Sequence, residues 1–274
     1  MTGATGRVGR GVVSGLLRAG ARVRALTRRP QDADLPEAVR VFEGDLEDPA
    51  SLAPALEGAD RLYLFPVPET ARAVVALAER CGVERVAVLS GALADEDGED
   101  EGYRPVERAV RESALEWTLL RPGEFAANWL DHAPEVRERR EVRRPFPTAV
   151  SRPTHEADIA DAAVAALLGG GHAGQTYTFG GPDELTVAEQ VRIIGEAVGE
   201  EVRFVELTPE QVHEEWYDPE LGVDHEIIDW LLDLQGASVT GGGAVPDSAD
   251  FERLVGRSRR SFTQWARDHA EDFR

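Results

Sequence analysis

Three glycines near the start of the chain have the spacing of a phosphate-binding loop. Gly3, Gly6 and Gly9 lie at the start of an amphipathic helical pattern that stops at Gly20. Residues without a Cβ atom let the backbone approach phosphate oxygens, and the free N–H groups of a helix N-terminus attract negative charge. The spacing therefore predicts a site for the pyrophosphate of a dinucleotide. The alternative is a glycine-rich turn that binds no ligand.

A second candidate residue is Arg28, which follows the apolar run that begins at Val23. In a dinucleotide fold the second strand ends about 20 residues after the glycine loop. An acidic residue at that place accepts from the ribose 2′-OH of NAD, whereas arginine suits the 2′-phosphate of NADP. The planar guanidinium binds phosphate through two hydrogen bonds. Arg28 therefore predicts NADP(H) as the cofactor, with a solvated surface arginine as the alternative.

Apolar runs and helical patterns alternate through the first half of the chain, as expected for the elements that position such a site. The expected strands cover residues 23–26, 39–42, 61–67, 83–90 and 116–121, and the expected helices cover 50–57, 69–80 and 105–113. This alternation predicts an α/β protein with a Rossmann-type, doubly wound parallel sheet. We expect residues 1–123 to form the dinucleotide-binding core. Residues 124–274 are expected to form mostly a small C-terminal lobe for substrate or a partner, with segments that return to the core.

The strand that should lead into the glycine loop consists only of Met1 and Thr2. Such strands often end in Val-Thr-Gly, and GTG can serve as a bacterial start codon. We therefore hypothesise that Met1 replaces an internal valine and that the natural chain begins several residues earlier. In that case the first strand of the core is truncated in this sequence.

Composition argues against several classes of partner. The 274 residues carry a net charge of −21, which is unfavourable for binding nucleic acid or an anionic membrane. No apolar run approaches the roughly 20 residues of a membrane span, and no signal peptide is visible. A single cysteine excludes an internal disulfide framework. We therefore expect a cytoplasmic protein that binds neither nucleic acid nor membrane.

Several stretches of the sequence resemble the NmrA-like, NAD(P)H-binding branch of the atypical short-chain dehydrogenase/reductases. They are TGATGRVG, VRALTRRP, FEGDLEDPASL, ERAVRESALEWTLLRPGEFAANW, THEADIADAA and GRSRRSFTQWARDHAEDF, and together they cover nearly the whole chain. That family contains reductases, quinone reductase-like enzymes and cofactor-binding regulators without known turnover. The resemblance therefore implies the fold and the cofactor but leaves the reaction open.

The motif and the resemblance together give a set of expected cofactor-binding residues. Asp45 and Leu46 resemble the adenine-binding pair of the family, and two further pairs end the strands expected on the nicotinamide side. The full set is Gly3, Thr5, Gly6, Arg7, Val8, Gly9, Arg28, Asp45, Leu46, Phe65, Pro66, Ser90 and Gly91. The alternatives are that Asp45 caps a turn, that Leu46 belongs to the core, and that the last four are packing and turn residues.

The wider superfamily reduces carbonyls with Tyr-x-x-x-Lys, in which lysine lowers the pKa of the tyrosine. All 30 basic residues here are arginine, so that dyad cannot form. Tyr103 falls in the slot of the lysine, and Glu99 falls in the slot of the tyrosine. Tyr103 is a candidate general acid, but a tyrosine that packs its ring is the alternative. We therefore assign no catalytic residue.

Two charged clusters are better interpreted as structural features than as binding sites. His155, Glu156 and Asp158 look like a metal-binding trio, but they open a helix, where acidic side chains complement the dipole, so no metal is predicted. The basic run 137–144 (RERREVRR) contains interleaved glutamates, which favours a solvated helix face. Attraction of an anionic substrate or a protein partner is the alternative for that run.

The sequence therefore predicts an NADPH-binding reductase that delivers hydride to a quinone-, enone- or aldehyde-like acceptor. The acceptor is expected in a cleft over the carboxyl ends of the strands. Hydride transfer to a quinone-like acceptor can draw its proton from water, so the missing dyad does not forbid it. The alternative function is a non-catalytic NADP(H) sensor that acts on a protein partner. A sugar-nucleotide epimerase or dehydratase is disfavoured because those enzymes depend on the dyad.

Overall fold

The computed structural model describes residues 1–95, 102–220, 222–240 and 245–274. Over these residues the strands β1–β10 span Arg24–Thr27, Arg40–Glu43, Arg61–Leu64, Arg85–Leu89, Glu116–Pro122, Glu141–Arg144, Val150–Ser151, Gln175–Phe179, Leu185–Thr186 and Arg203–Glu206. The helices α1–α11 span Arg7–Arg18, Ala53–Leu56, Ala71–Arg80, Arg104–Arg111, Ala133–Arg139, Glu156–Leu168, Val187–Val198, Pro209–Trp216, His225–Val239, Asp250–Val255 and Phe262–Asp268. Glu99 lies outside the described residues, as does most of the loop that the glycine-rich stretch TGGG at 240–243 predicts.

The first of two compact units contains the parallel sheet and comprises Met1–Pro122, Glu156–Phe179 and Ser248–Arg259. Strands β3, β4, β5 and β8 pair in parallel in that order, and β1 pairs in parallel with β2. Met1 and Thr2 lie between the two groups. The Leu26 N–H donates to the Met1 carbonyl at 3.0 Å, and the Thr2 N–H donates to the Tyr63 carbonyl at 3.0 Å. The strand order confirms the predicted α/β class with a Rossmann-like parallel sheet.

Both faces of this sheet are covered, which explains the nearly continuous apolar runs of its strands. In β4, Val86 and Val88 belong to the cluster that includes residues of α3 and α4. Side chains alternate between the faces of a strand, so the fully buried Ala87 lies on the opposite face. Helix α6 packs against β3, β4 and β5 and also against α1. Helices therefore cover both faces of the sheet.

The second unit comprises Gly123–His155, Gly180–Asp247 and Arg260–Arg274. In it β6 pairs in parallel with β10, and β7 pairs antiparallel with β9. Trp129 and Trp265 are fully buried in a core to which α7 and α11 also contribute. The pattern Thr-x-x-Glu at 186–189 predicts a capping box, and Thr186 and Glu189 form one at the start of α7.

The basic run at 137–144 is not one solvated helix face, so that interpretation is wrong for its second half. Helix α5 ends at Arg139, and Arg140 takes a left-handed backbone conformation with φ of +54°. The chain then continues as β6, in which Val142 is fully buried. The physical reason is the pairing with β10, a distant partner that local charge patterns do not reveal.

Two further elements are shorter than predicted because proline interrupts them. The helix expected at 50–57 is a 3₁₀ turn, Pro49–Leu52, followed by the single-turn helix α2. The strand expected at 61–67 ends at Leu64, and Pro66 lies just beyond, where it cannot donate a backbone hydrogen bond.

Among the described residues, the helices lack the combination of length and apolar character needed to cross a bilayer.

A cavity of about 610 Å³ lies where the sheet contains only Met1 and Thr2 between β1 and β3. Its lining includes the apolar side chains of Val23, Leu26 and Leu62. The Met1 amino group is buried there and donates to the Arg24 carbonyl at 2.6 Å. Burial, with a smaller contribution from the Arg24 charge, lowers the pKa of this amino group to about 5. At neutral pH this amino group is therefore mostly uncharged, and it borders a space lined in part by apolar side chains.

The cavity gives the hypothesis of a longer first strand a direct test. We predict that a five-residue extension before Thr2 with alternating valine or isoleucine raises Tm, because two buried side chains contribute about 1.5–3 kcal/mol each. The expected increase is about 5 °C or more in a thermal melt. A serine- and glycine-rich extension of equal length is the control. Equal melting temperatures for the two extensions would show that no strand enters the cavity.

Candidate cofactor site

The glycine loop forms an open backbone turn at the start of α1. Gly3 has φ of +60°, and its carbonyl accepts a hydrogen bond from the Gly6 N–H at 3.2 Å. Gly6 is the N-cap of α1, and no side chain caps the helix, so the first helical N–H groups are not covered by a side-chain acceptor. Gly6 and Arg7 are exposed, whereas the Val8 side chain is buried. A Cβ atom at Gly9 would overlap the Gly3 carbonyl oxygen. This geometry fits a pyrophosphate.

Thr2 ties the glycine loop to the end of β3, a role that the sequence did not reveal. Its hydroxyl donates to the Tyr63 carbonyl at 3.1 Å and accepts from the Phe65 N–H at 2.7 Å. A Cβ atom built on Gly3 would lie 3.4 Å from the Phe65 side chain, which is 44% exposed. Gly3 and Phe65, which are both predicted to bind the cofactor, therefore lie next to each other in the structure. Pro66, also predicted, is the next residue along the chain.

Arg28 is exposed directly after β1 and, among the described residues, has no hydrogen-bond or ion-pair partner. Its neighbour Arg29 lies 3.8 Å from Asp32, and the Arg29 N–H donates to the Thr27 hydroxyl at 3.3 Å. Of the two adjacent arginines, Arg28 is thus the one available for a ligand. This difference could not be read from the sequence, in which both residues follow the same strand.

Arg10 on α1 is a further residue whose role the sequence did not reveal. Its guanidinium donates to the Thr5 carbonyl at 3.1 Å, to the Asp34 carbonyl at 2.6 Å and to the Ala33 carbonyl at 3.3 Å. It connects the glycine loop to the segment that follows Arg28. The side chain therefore holds the two candidate phosphate-binding regions together.

Asp45 and Leu46 have structural roles that match the alternatives raised for them. The Asp45 carboxylate accepts from the Glu47 N–H at 3.1 Å and so forms a local turn. Leu46 packs against the core, and its carbonyl accepts from the Thr70 hydroxyl at 2.7 Å. Adenine binding by this pair stays a prediction.

Ser90 and Gly91 lie at the end of β4 and contact α4 and the residue before it. The buried Ser90 hydroxyl donates to the Glu107 carboxylate at 2.6 Å. A Cβ atom on Gly91 would overlap the ring of Tyr103, which directly precedes α4. Both residues therefore have packing roles, and their contact with a nicotinamide stays a prediction. Tyr103 packs its ring, as the alternative interpretation expected.

A buried ion pair joins α4 to β5 at the carboxyl end of the sheet. The Arg121 guanidinium donates to both oxygens of Glu107, at 2.8 and 2.7 Å, and to both oxygens of Asp95, at 2.7 and 2.9 Å. Burial alone would raise the pKa of Glu107, but the hydrogen bonds from Arg121 and Ser90 outweigh it, so the pKa lies below its usual value. Glu107 is therefore an ionised acceptor. The sequence did contain a signal for this ion pair: an arginine within the largely apolar stretch EWTLLRP is expected to be buried and therefore paired.

The residues of the suspected metal trio have other partners. His155 lies 3.3 Å from Asp268 through its Nε2 atom. Asp158 accepts from Arg257 at 2.7 Å, and Arg257 also bonds to Asp161. In the part of the chain that the structure describes, no group of three His, Cys, Asp or Glu side chains could hold a metal ion.

The sequence model of a family described as NAD(P)H-binding matches residues 3–168. Two relatives align over the whole of this chain and 98% of their own length. One is the (4-alkanoyl-5-oxo-2,5-dihydrofuran-3-yl)methyl phosphate reductase of Streptomyces griseus, which is 35% identical over 286 residues. The other is the NAD(P)H azoreductase of Xenophilus azovorans, which is 30% identical over 288 residues.

A similar solved structure is the NADPH-dependent quinone oxidoreductase of Escherichia coli. It has a TM-score of 0.78 and 25% sequence identity, with 97% of each chain covered. The matched family, the full-length relatives and this fold agree with the geometry of the glycine loop. The chain belongs to the NAD(P)H-binding family, within the NmrA-like group of atypical short-chain dehydrogenase/reductases.

Proposed function

We propose that this protein is an NADPH-dependent reductase that transfers hydride to an enone- or quinone-like small molecule without a tyrosine–lysine dyad. The observation that carries the cofactor part is the glycine loop, whose exposed backbone at Gly6 leads directly into the uncapped N-terminus of α1. Arg28 supports the choice of NADPH because its charge has no partner among the described residues. When bound, the cofactor supplies the hydride.

The full-length relative from Streptomyces griseus favours an enone-like acceptor. The substrate in its name is an unsaturated lactone with an alkanoyl group, so its ring double bond is conjugated with two carbonyl groups. We propose the same class of acceptor for this chain. Quinones share the relevant property, since their reduction also produces an anion that is delocalised over oxygen atoms. An aldehyde lacks this property and is the least favoured of the three expected acceptors.

The missing dyad is compatible with this choice. Hydride addition to such an enone produces an enolate whose charge is shared by two carbonyl oxygens, so water can deliver the proton. Glu107 is unsuited to this role because the hydrogen bonds from Arg121 and Ser90 keep it ionised. The reaction consumes NADPH, the acceptor and one proton, and it yields NADP⁺ and the saturated product.

A panel of acceptors tests the proposed activity. NADPH oxidation is measured by loss of its absorbance with a 2-acyl butenolide, a quinone, an azo dye and an aldehyde. We expect the butenolide and the quinone to be reduced and the aldehyde to react slowest. If NADPH binds tightly but none of the acceptors is reduced, the proposal is wrong, and the sensor that acts on a protein partner becomes the better interpretation.

Gly6→Val should abolish cofactor binding and leave the fold intact. The backbone of Gly6 has φ of −76°, which any residue can adopt, and an added Cβ atom meets only the Gly3 carbonyl oxygen, at 3.4 Å. The side chain would instead occupy the space that a pyrophosphate needs. Calorimetry with NADPH measures the loss. Gly9→Ala is the contrasting variant, because its Cβ overlap should lower Tm. Retained NADPH affinity in Gly6→Val would mean that the loop is only a turn.

Arg28→Ala should weaken NADPH binding by about 1–3 kcal/mol, or roughly 5- to 150-fold in Kd, and leave NADH binding nearly unchanged. The reason is the loss of charge-assisted hydrogen bonds to the 2′-phosphate. Arg29→Ala is the matched control, since Arg29 already pairs with Asp32. Equal affinities of the unmutated protein for NADPH and NADH would contradict the assignment.

Tyr103→Phe should leave the reduction rate within about tenfold of the unmutated protein, because the ring keeps its packing on Gly91 and the chain has no lysine to activate the hydroxyl as a proton donor. A positioned general acid normally contributes about 10²–10⁴-fold. The measurement is kcat at saturating acceptor, with NADPH affinity as the folding control. A hundredfold loss with unchanged cofactor affinity would identify Tyr103 as the proton donor.

A further inference from the structure

Four of the five arginines in the segment 137–144 are either paired or exposed to solvent, and in the described part of the chain the fifth, Arg144, is neither. Three of its arginines bond to acceptors within the second unit: Arg137 to the Asp272 carbonyl, Arg140 to Glu200 at 2.7 Å, and Arg143 to Glu215 at 2.6 Å. These three residues stabilise the fold of that unit. Arg144, the last residue of β6, takes part in no such pair among the described residues.

Arg144 is nevertheless buried. Its residue exposure is 9%, and its Nε–H group is fully buried without a hydrogen-bond acceptor. The guanidinium carbon lies 4.9 Å from the centre of the Trp129 ring. That ring is itself fixed, because its indole N–H donates to Gln190 at 2.7 Å. Burial lowers the pKa of Arg144, and the charge of Glu124 acts in the opposite direction without reaching ion-pair distance.

A guanidinium whose Nε–H group is buried without an acceptor is an unfavourable arrangement. Arginine stays protonated at neutral pH, so the positive charge cannot be relieved by losing a proton. The face of a tryptophan offsets only part of the cost of removing the charge from water. An anion with two or more oxygens would complete the arrangement, since the planar fork of arginine matches carboxylate and phosphate groups. In a chain of net charge −21, such a locally unmatched cation is also selective for anions.

We propose that Arg144, held against Trp129, binds a small anion, either a phosphate monoester or a carboxylate. The anion site itself depends only on contacts within the second unit. Its binding can therefore be measured without turnover.

The first test measures binding of methyl phosphate and of acetate by the change in tryptophan fluorescence and by calorimetry. We expect saturable binding of at least one of these anions by the unmutated protein, and an increase in Kd of tenfold or more in Arg144→Met. Arg143→Met is the matched control on the same strand, because that residue already bonds to Glu215, and its Kd should stay within about twofold. Whichever anion binds more tightly identifies the group.

The same variants separate a binding role from a structural one. Removal of an unpaired buried charge should leave Tm unchanged or raise it, whereas loss of a structural arginine lowers it. Arg144→Lys keeps the charge and loses the fork, so its anion affinity should lie between those of the unmutated protein and Arg144→Met. A lower Tm of Arg144→Met with unaltered anion affinity would overturn the proposal, as would equal, weak binding by all three proteins.

Discussion

The close approach of the first turn of α1 to the Gly3 carbonyl is the constraint on which the first unit depends. Only a residue without a Cβ atom can occupy position 9 at this distance. Farther along α1, added Cβ atoms at Gly11 and Gly15 would lie 2.8 and 2.7 Å from the side chains of Ala160 and Val164 on α6. Gly9 therefore allows α1 to pack closely on the glycine loop, and Gly11 and Gly15 allow it to pack closely on α6. The helix N-terminus is held by backbone packing, so a phosphate would meet N–H groups that need little reorganisation.

Because the chain contains no lysine, every permanently charged cationic side chain is an arginine. Two of the buried arginines have contrasting surroundings. Arg121 is buried and forms two hydrogen bonds with each of two carboxylates, so its charge is fully compensated. Loss of one partner of such a pair leaves an uncompensated buried charge, which is why pairs of this kind fix the elements that they join. Arg144 is similarly buried but has only the face of Trp129. The guanidinium of Arg121 therefore has anionic partners within the protein, whereas that of Arg144 has none within the described ranges. We expect an anionic ligand at the second of these two arginines.

The parts that were predictable from the sequence are those that depend on local signals. The glycine loop, the alternation of strands and helices, and the capping box at Thr186 each occupy only a few neighbouring residues. The pair Arg121–Glu107 and the helix-facing roles of Gly11 and Gly15 depend on contacts between distant segments, so the spacing of residues did not reveal them. The basic run was misjudged for the same reason, because the pairing of β6 with β10 outweighs the helical preference of its residues.

The chemistry available at the end of β4 bears on which acceptors suit this site. The single hydroxyl proton of Ser90 is committed to Glu107, so Ser90 can only accept a hydrogen bond from another molecule. Glu107 has no proton to give, since its carboxylate is held ionised by Arg121. Reduction of a simple aldehyde produces an alkoxide, a strong base whose formation needs a proton donor close at hand. An enolate or a hydroquinone anion is a much weaker base because its charge is delocalised. Neither Ser90 nor Glu107 can therefore protonate a product, which agrees with the proposed enone- or quinone-like acceptor.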